Sequence, residues 1–129
     1  MIKKITTFLI ILTILIGFYF LTSKKPASIV STVNPTSDYI LFYGDTCPHC
    51  KIVEEFISTN QIDQKLKISQ LEVYENKPNS TLFINTVQEI CPDQLSNNGL
   101  PVPFLVDQKD KKCITGDSSI IQYFTEKSK

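Results

Sequence analysis

The chain has 129 residues, enough for one domain and little more. Its 13 lysines balance 13 acids and it has no arginine, which argues against a nucleic-acid partner, because such proteins carry a basic excess. With 42% apolar and 20% charged residues the mixture is that of a globular protein, and wholesale disorder is excluded.

The balance hides an asymmetry. Residues 1–37 carry four lysines and no acid, whereas residues 38–129 carry nine lysines and 13 acids, a net charge of −4. Ile5 to Ser23 is an uncharged run of 19 residues between Lys3-Lys4 and Lys24-Lys25. As a helix it would be roughly 28 Å long, close to the hydrocarbon thickness of a bilayer. A cleaved signal has a shorter apolar core closed by small residues. Here bulky Phe18, Tyr19, Phe20 and Leu21 fill the end, and no cysteine follows to make a lipoprotein signal. The run therefore reads as a retained transmembrane anchor behind a head of residues 1–4. The flanking lysines tie, so charge bias does not orient it. A short head before a long domain places residues 24–129 outside the cytoplasm. Residues 24–37, rich in Ser and Thr with Pro26 and Pro35, read as a flexible linker.

The rest, 38–129, predicts strand, helix, strand, helix, hairpin and helix. Tyr39 to Tyr43 is a continuous apolar run ended by Gly44-Asp45, the pattern of a strand buried on both faces. A helix begins near Pro48, a residue suited to the first turn, and stops near Asn60. Cys50, Val53, Phe56 and Ile57 share one of its faces. Leu66 to Tyr74 predicts a second strand. Asn79 or Ser80 caps a second helix, with Phe83, Val87 and Ile90 facing inward and Pro92 ending it. Val102 to Val106 and Lys112 to Thr115 make a hairpin. Asp117 caps a final helix whose inner face is Ile120, Ile121 and Phe124. A crossover followed by a hairpin implies a four-stranded mixed sheet with three helices spread over both faces, an α/β fold.

The chemistry concentrates in Cys47-Pro48-His49-Cys50, at a strand-to-helix junction. Two cysteines three apart can close a small ring when the first sits at a helix N-terminus. Unpaired N–H groups and the positive end of the helix dipole favour a thiolate at Cys47, and His49 adds positive charge nearby. A stabilised thiolate stabilises the reduced pair, so its disulfide is a stronger oxidant. Cys50, on the inner face, is the resolving thiol. A zinc site needs two more ligands, and Cys91 and Cys113 lack a second CxxC spacing. A static disulfide at Cys47–Cys50 is the other bland alternative. His49 is the sole histidine, which excludes a histidine-rich metal site.

The order of elements, the CxxC after the first strand, Val102-Pro103 before the hairpin and Gly116-Asp117 before the last helix resemble the thioredoxin superfamily over about residues 38–127. The small size is similar to a glutaredoxin, and the Pro-His dipeptide to the DsbA-type disulfide oxidases. The resemblance implies a thioredoxin-like fold and a cis peptide bond before Pro103, facing the CxxC. It also implies that Val102 and Pro103 position the substrate chain. Only Gly116, Asp117 and Ser118 resemble the glutathione-binding Gly-Gly-x-Asp-Asp-like turn of glutaredoxins, a departure that argues against glutathione as partner. Leu41 stands where thioredoxins and DsbA-type proteins carry a buried acid, and the chain has no room for the DsbA-type helical insert.

Cys91 and Cys113 are 22 apart, and an even cysteine count in an exported domain suggests a structural bridge. A second dithiol relaying electrons, or two unpaired thiols, stay open. Together these features lead to the expectation of a membrane-anchored thiol–disulfide oxidoreductase acting on exported proteins. Cys47 exchanges, Cys50 resolves, Pro48 and His49 tune the pair, and Val102, Pro103, Gly116 and Asp117 contact substrate. Oxidation or isomerisation is favoured. A reductase fed by a membrane redox partner, or an anchored binding module with structural disulfides, are the alternatives. No metal or organic cofactor is implied.

Overall fold

The computed structural model describes residues 36–96 and 99–129. The expected head, the anchor at 5–23 and the linker up to residue 35 lie outside them, and among the described residues no helix is long and apolar enough to cross a membrane. Along the chain run β1 (Tyr39–Tyr43), α1 (Pro48–Thr59), α2 (Ile62–Lys65), β2 (Ile68–Glu72), α3 (Lys77–Ile90), a 3-10 turn (Pro92–Gln94), β3 (Phe104–Asp107), β4 (Lys112–Thr115) and α4 (Asp117–Lys127). The strands form one sheet in the order β2-β1-β3-β4. β1 pairs parallel with β2, Tyr39 opposite Ile68, and antiparallel with β3, Tyr39 opposite Asp107. β3 and β4 form the antiparallel hairpin. This is the mixed four-stranded α/β architecture that the sequence pattern requires.

Alternation along β1 divides the core. Tyr39 and Leu41 pack on one side with Val53 and Ile57 of α1, Ile62 of α2, and Ile120, Tyr123 and Phe124 of α4. Ile40 and Phe42 pack on the other side with Phe83 and Val87 of α3 and with Phe104 and Val106 of β3. Phe83 lies between two rings, stacked on Phe42 at 4.4 Å and edge-on to Phe104 at 5.1 Å, arrangements that add to simple area burial. A continuous apolar run is thus what a central strand covered on both faces needs.

Several boundaries differ from the sequence expectation. α3 starts at Lys77, with Asn76 as its cap: the Asn76 side-chain oxygen accepts from the Asn79 N–H at 3.1 Å. Asn79, expected to cap, is buried, and its amide donates to the Glu72 carbonyl at 2.9 Å. Pro78 fits the first turn of that earlier start, which periodicity alone did not reveal. The short α2 lies between the expected first helix and second strand, where the sequence pattern predicts no element. β3 begins at Phe104 instead of Val102, since Pro103 has no N–H for the ladder. Gly116, at φ 86, is the cap residue of α4, and Asp117 is the first helical residue. The left-handed backbone at that position suits glycine. Tyr123 takes the inner place expected of Ile121.

Candidate active site

The loop Gly44-Asp45-Thr46 carries the chain from the end of β1 to the start of α1, and the Cys47 N–H donates to the Gly44 carbonyl at 3.0 Å. Cys47 is the N-cap of α1, with Pro48 in the first turn. Its sulfur accepts from the Cys50 N–H at 3.3 Å, so one of the orphan donors of the helix end points at Sγ. Such a donor, together with the helix dipole, stabilises negative charge on sulfur. Within the same turn, Cys50 points inward and is fully buried, whereas Cys47 keeps 7% of its surface exposed. Burial, and next the Cys47 sulfur beside it, push the Cys50 thiol up to about 12. The two sulfurs are free thiols in this structure.

Two further segments close on this end of the sheet. The Val102–Pro103 peptide bond is cis. The Val102 carbonyl lies 3.7 Å from Cys47 Sγ, within reach of the thiol proton. From the other side, Asp117 at the start of α4 accepts from or pairs with His49 Nδ1 at 2.9 Å. The His49 hydrogen bond, followed by the Ser118 N–H, holds the Asp117 carboxyl below its ordinary value. Cys47, Pro48, His49, Cys50, Val102, Pro103, Gly116 and Asp117 therefore meet at one end of the fold. The His49–Asp117 contact lies at the exposed surface. Leu41 is buried among apolar side chains beneath α1.

Cys91 and Cys113 are bonded to each other, with Cα atoms 6.4 Å apart. Their bridge joins the end of α3 to β4 on the α3 side of the sheet. No group of three or more potential metal ligands occurs among the described residues.

Periodicity and motif spacing did not reveal one component, a groove of about 360 Å³ whose lining includes Tyr74, Phe83, Ile84, Leu95, Leu100 and Val102. Tyr74 lies against the Cys47 loop, its ring so close over Gly44 that any side chain there would clash with it. Gly44 was the available signal, read only as the end of a strand. Glu72 builds the turn that presents Tyr74. Its carboxylate accepts from the Tyr74, Glu75 and Asn76 N–H groups. Burial opposes its charge, but these donors outweigh burial and keep it below its ordinary value. Another groove, of about 380 Å³ between β4 and α4, is lined by neither Cys47 nor Cys50.

No protein-family model matches the sequence, and no curated protein matches it. Among solved structures the chain is similar to the crystal structure of the glutaredoxin grx-1 from Archaeoglobus fulgidus. The identity is 18% and the TM-score 0.45, over 68% of this chain and 86% of that one. Likeness of that degree assigns no activity to this chain.

Proposed function

We propose that this chain is a thiol–disulfide oxidoreductase working through Cys47 and Cys50. The observation that carries it is the unequal pair: Cys47 at a helix N-terminus with an N–H aimed at its sulfur, and Cys50 buried with its thiol pushed up to about 12. In the oxidising direction a client thiolate attacks Sγ of Cys47 in the Cys47–Cys50 disulfide. A mixed disulfide forms and Cys50 leaves as a thiolate that takes up a proton. A second client thiolate then attacks the client sulfur of the mixed disulfide and expels the Cys47 thiolate. Two electrons pass from client to protein. The helix end stabilises the departing Cys47 sulfur, which favours this direction. A reductase fed by a membrane redox partner would use the same residues in reverse.

The Cys91–Cys113 bridge, in this scheme, is structural. The run at 5–23 anchors the chain in a membrane with residues 24–129 outside the cytoplasm, where disulfide chemistry is sustained. Clients are exported proteins with thiols or disulfides. Neither metal nor organic cofactor takes part, and the partial match of Gly116, Asp117 and Ser118 to the glutathione-binding turn argues against a glutathione site.

The test is a pair of variants of the full chain in a disulfide-exchange assay. Cys47→Ser should abolish exchange, and Cys50→Ser should accumulate mixed disulfides with clients. Full activity in Cys47→Ser would refute the proposal and favour the binding module.

A further inference from the structure

The charges of the domain are sorted along its strands. β1 leads from Tyr39 to Tyr43 and then into the Cys47 loop, so the cysteines lie at one end of the sheet and Tyr39 at the other. At the Tyr39 end, Asp107 lies opposite Tyr39 and Lys112 opposite Asp107. The turn carrying Lys109 and Lys111 joins those last two residues. The Lys67 carbonyl accepts from the Asp38 and Tyr39 N–H groups, and Lys127 of α4 reaches Asp110 of the turn. Lys67, Lys109, Lys111, Lys112 and Lys127 thus share this end, and all five are exposed.

Three carboxylates stand among them. Asp38 pairs with Lys109 and Asp110 with Lys127. Asp107 is buried and accepts from the Tyr123 hydroxyl. Among the described residues Lys67, Lys111 and Lys112 make no ion pair. Close in sequence, Asp63 and Glu126 offset Lys65 and Lys129. The cysteine end has the opposite sign, because Asp45, Glu54, Glu72, Glu75 and Asp117 there outnumber Lys51 and Lys77. A domain whose nine lysines against 13 acids give a net charge of −4 therefore carries a positive end. The chain enters the domain at that end, since Asp38 precedes β1 and its N–H is bonded to Lys67.

We propose that the lysine end rests on a bilayer surface bearing anionic phospholipid headgroups, with Cys47 facing away from it. The proposal rests on the anchoring of residues 5–23 proposed above and adds the surface that the domain turns to the membrane. A 14-residue tether, 24–37, can extend to roughly 50 Å, so anchoring alone does not orient the domain. Attraction of lysine to an anionic surface fades within a Debye length, roughly 8 Å at physiological ionic strength. The five residues of β1 separate the two ends by roughly 17 Å. The acids of the cysteine end lie beyond the range in which they would cancel the attraction. Cys47 and Cys50 are then presented to clients on the side away from the bilayer.

Lysine footprinting tests this on the full chain reconstituted in vesicles of phosphatidylcholine, alone or mixed equally with phosphatidylglycerol. Flotation first shows whether the chain is in the vesicles. A membrane-impermeant acetylating reagent then labels the lysines, and mass spectrometry reads the rate at each. Lys67, Lys109, Lys111 and Lys112 should be labelled roughly five-fold more slowly in the anionic vesicles, the scale of one lysine's attraction to such a surface. Lys51 and Lys77 should be labelled equally in both. The difference should vanish in about 1 M salt, where the Debye length is roughly 3 Å. A variant combining Lys67→Glu, Lys111→Glu and Lys112→Glu should lose it at Lys109. These positions are exposed, so circular dichroism should show the fold intact.

Equal labelling in the two vesicles, with the chain floating in both, would overturn the proposal and leave the anchor standing. Protection that includes Lys51 and Lys77, or that survives in the triple variant, would also overturn it, since no particular end would face the lipid. Inorganic phosphate reproducing the protection in phosphatidylcholine vesicles would replace the lipid surface by a discrete anion site. A chain that floats with neither vesicle would overturn the anchor itself, and the proposal with it.

Discussion

Cys47 and Cys50 differ because the helix treats two identical side chains differently. Cys47 caps α1 and receives the Cys50 N–H, while Cys50 is turned into the core with no surface exposed. The first consequence is selective alkylation: at neutral pH iodoacetamide should label Cys47 in the native dithiol and spare Cys50 until the chain is unfolded. Labelling of both at equal rates, followed by peptide mass mapping, would contradict the asymmetry. The second consequence concerns pH. The Cys50 thiol titrates near its ordinary value of 9.0 when unfolded and at about 12 when folded, since burial disfavours the thiolate. A raised value means that the stability linked to this group is fully present below pH about 9. It is lost as the pH rises through the folded value. Tyr123 acts in the same sense, pushed up to about 12 by burial and then by its hydrogen bond to Asp107. Urea midpoints of the dithiol form should therefore fall between pH 9 and 12, less steeply in Cys50→Ala. Midpoints equally steep in Cys50→Ala would mean that Cys50 has no share in the alkaline loss. The motif itself was legible in the sequence, because a helix N-terminus can be inferred from Pro48 after an apolar run. The His49–Asp117 contact was not, since it joins residues 68 apart and depends on how α1 and α4 pack.

β1 was the most legible element, because burial on both faces demands the uninterrupted apolar run that Tyr39 to Phe42 supply. β4 was equally plain from the turn beside it. The start of α3 was missed by three to four residues because Asn76 and Asn79 are both competent caps, and the choice between them rests on burial of Asn79 against β2. The groove was not legible for a related reason. Tyr74 comes from the turn after β2, Ile84 from α3, and Leu95 and Leu100 from the segment before β3, and they share a wall only after α3 folds over the sheet. The Cys91–Cys113 bridge spans the same region. It fastens the end of α3, where the segment leading to Val102 begins, to β4. A closed loop of this length is worth about 3 kcal/mol by chain entropy. Replacing both cysteines by Ala should lower unfolding stability by roughly that amount in urea while retaining exchange at Cys47. Exchange lost with the fold intact would instead make the bridge a relay.

The molecule as a whole combines an apolar N-terminal run with a small α/β domain of net negative charge. If the run at 5–23 anchors the chain, the full protein should sediment with membranes and resist alkaline carbonate extraction. Release by carbonate would remove the anchor from the scheme without touching the cysteine chemistry. The elements that hold the domain together are not specific to redox work: a sheet with helices on both faces serves many functions. What singles out this chain is the meeting of a helix-capping thiol, a buried partner thiol and the Val102 carbonyl at one end of the sheet.

Equilibration of the full chain in glutathione buffers, with the thiol state of each cysteine mapped by mass spectrometry, measures whether Cys47 and Cys50 form a reversible couple. A two-electron couple confined to these residues is expected, at a potential between about −120 and −180 mV, the range of oxidising and isomerising dithiols. A value near −270 mV would keep the couple and reverse its direction of use. Finding no reversible couple at Cys47 and Cys50 would contradict the proposed function outright.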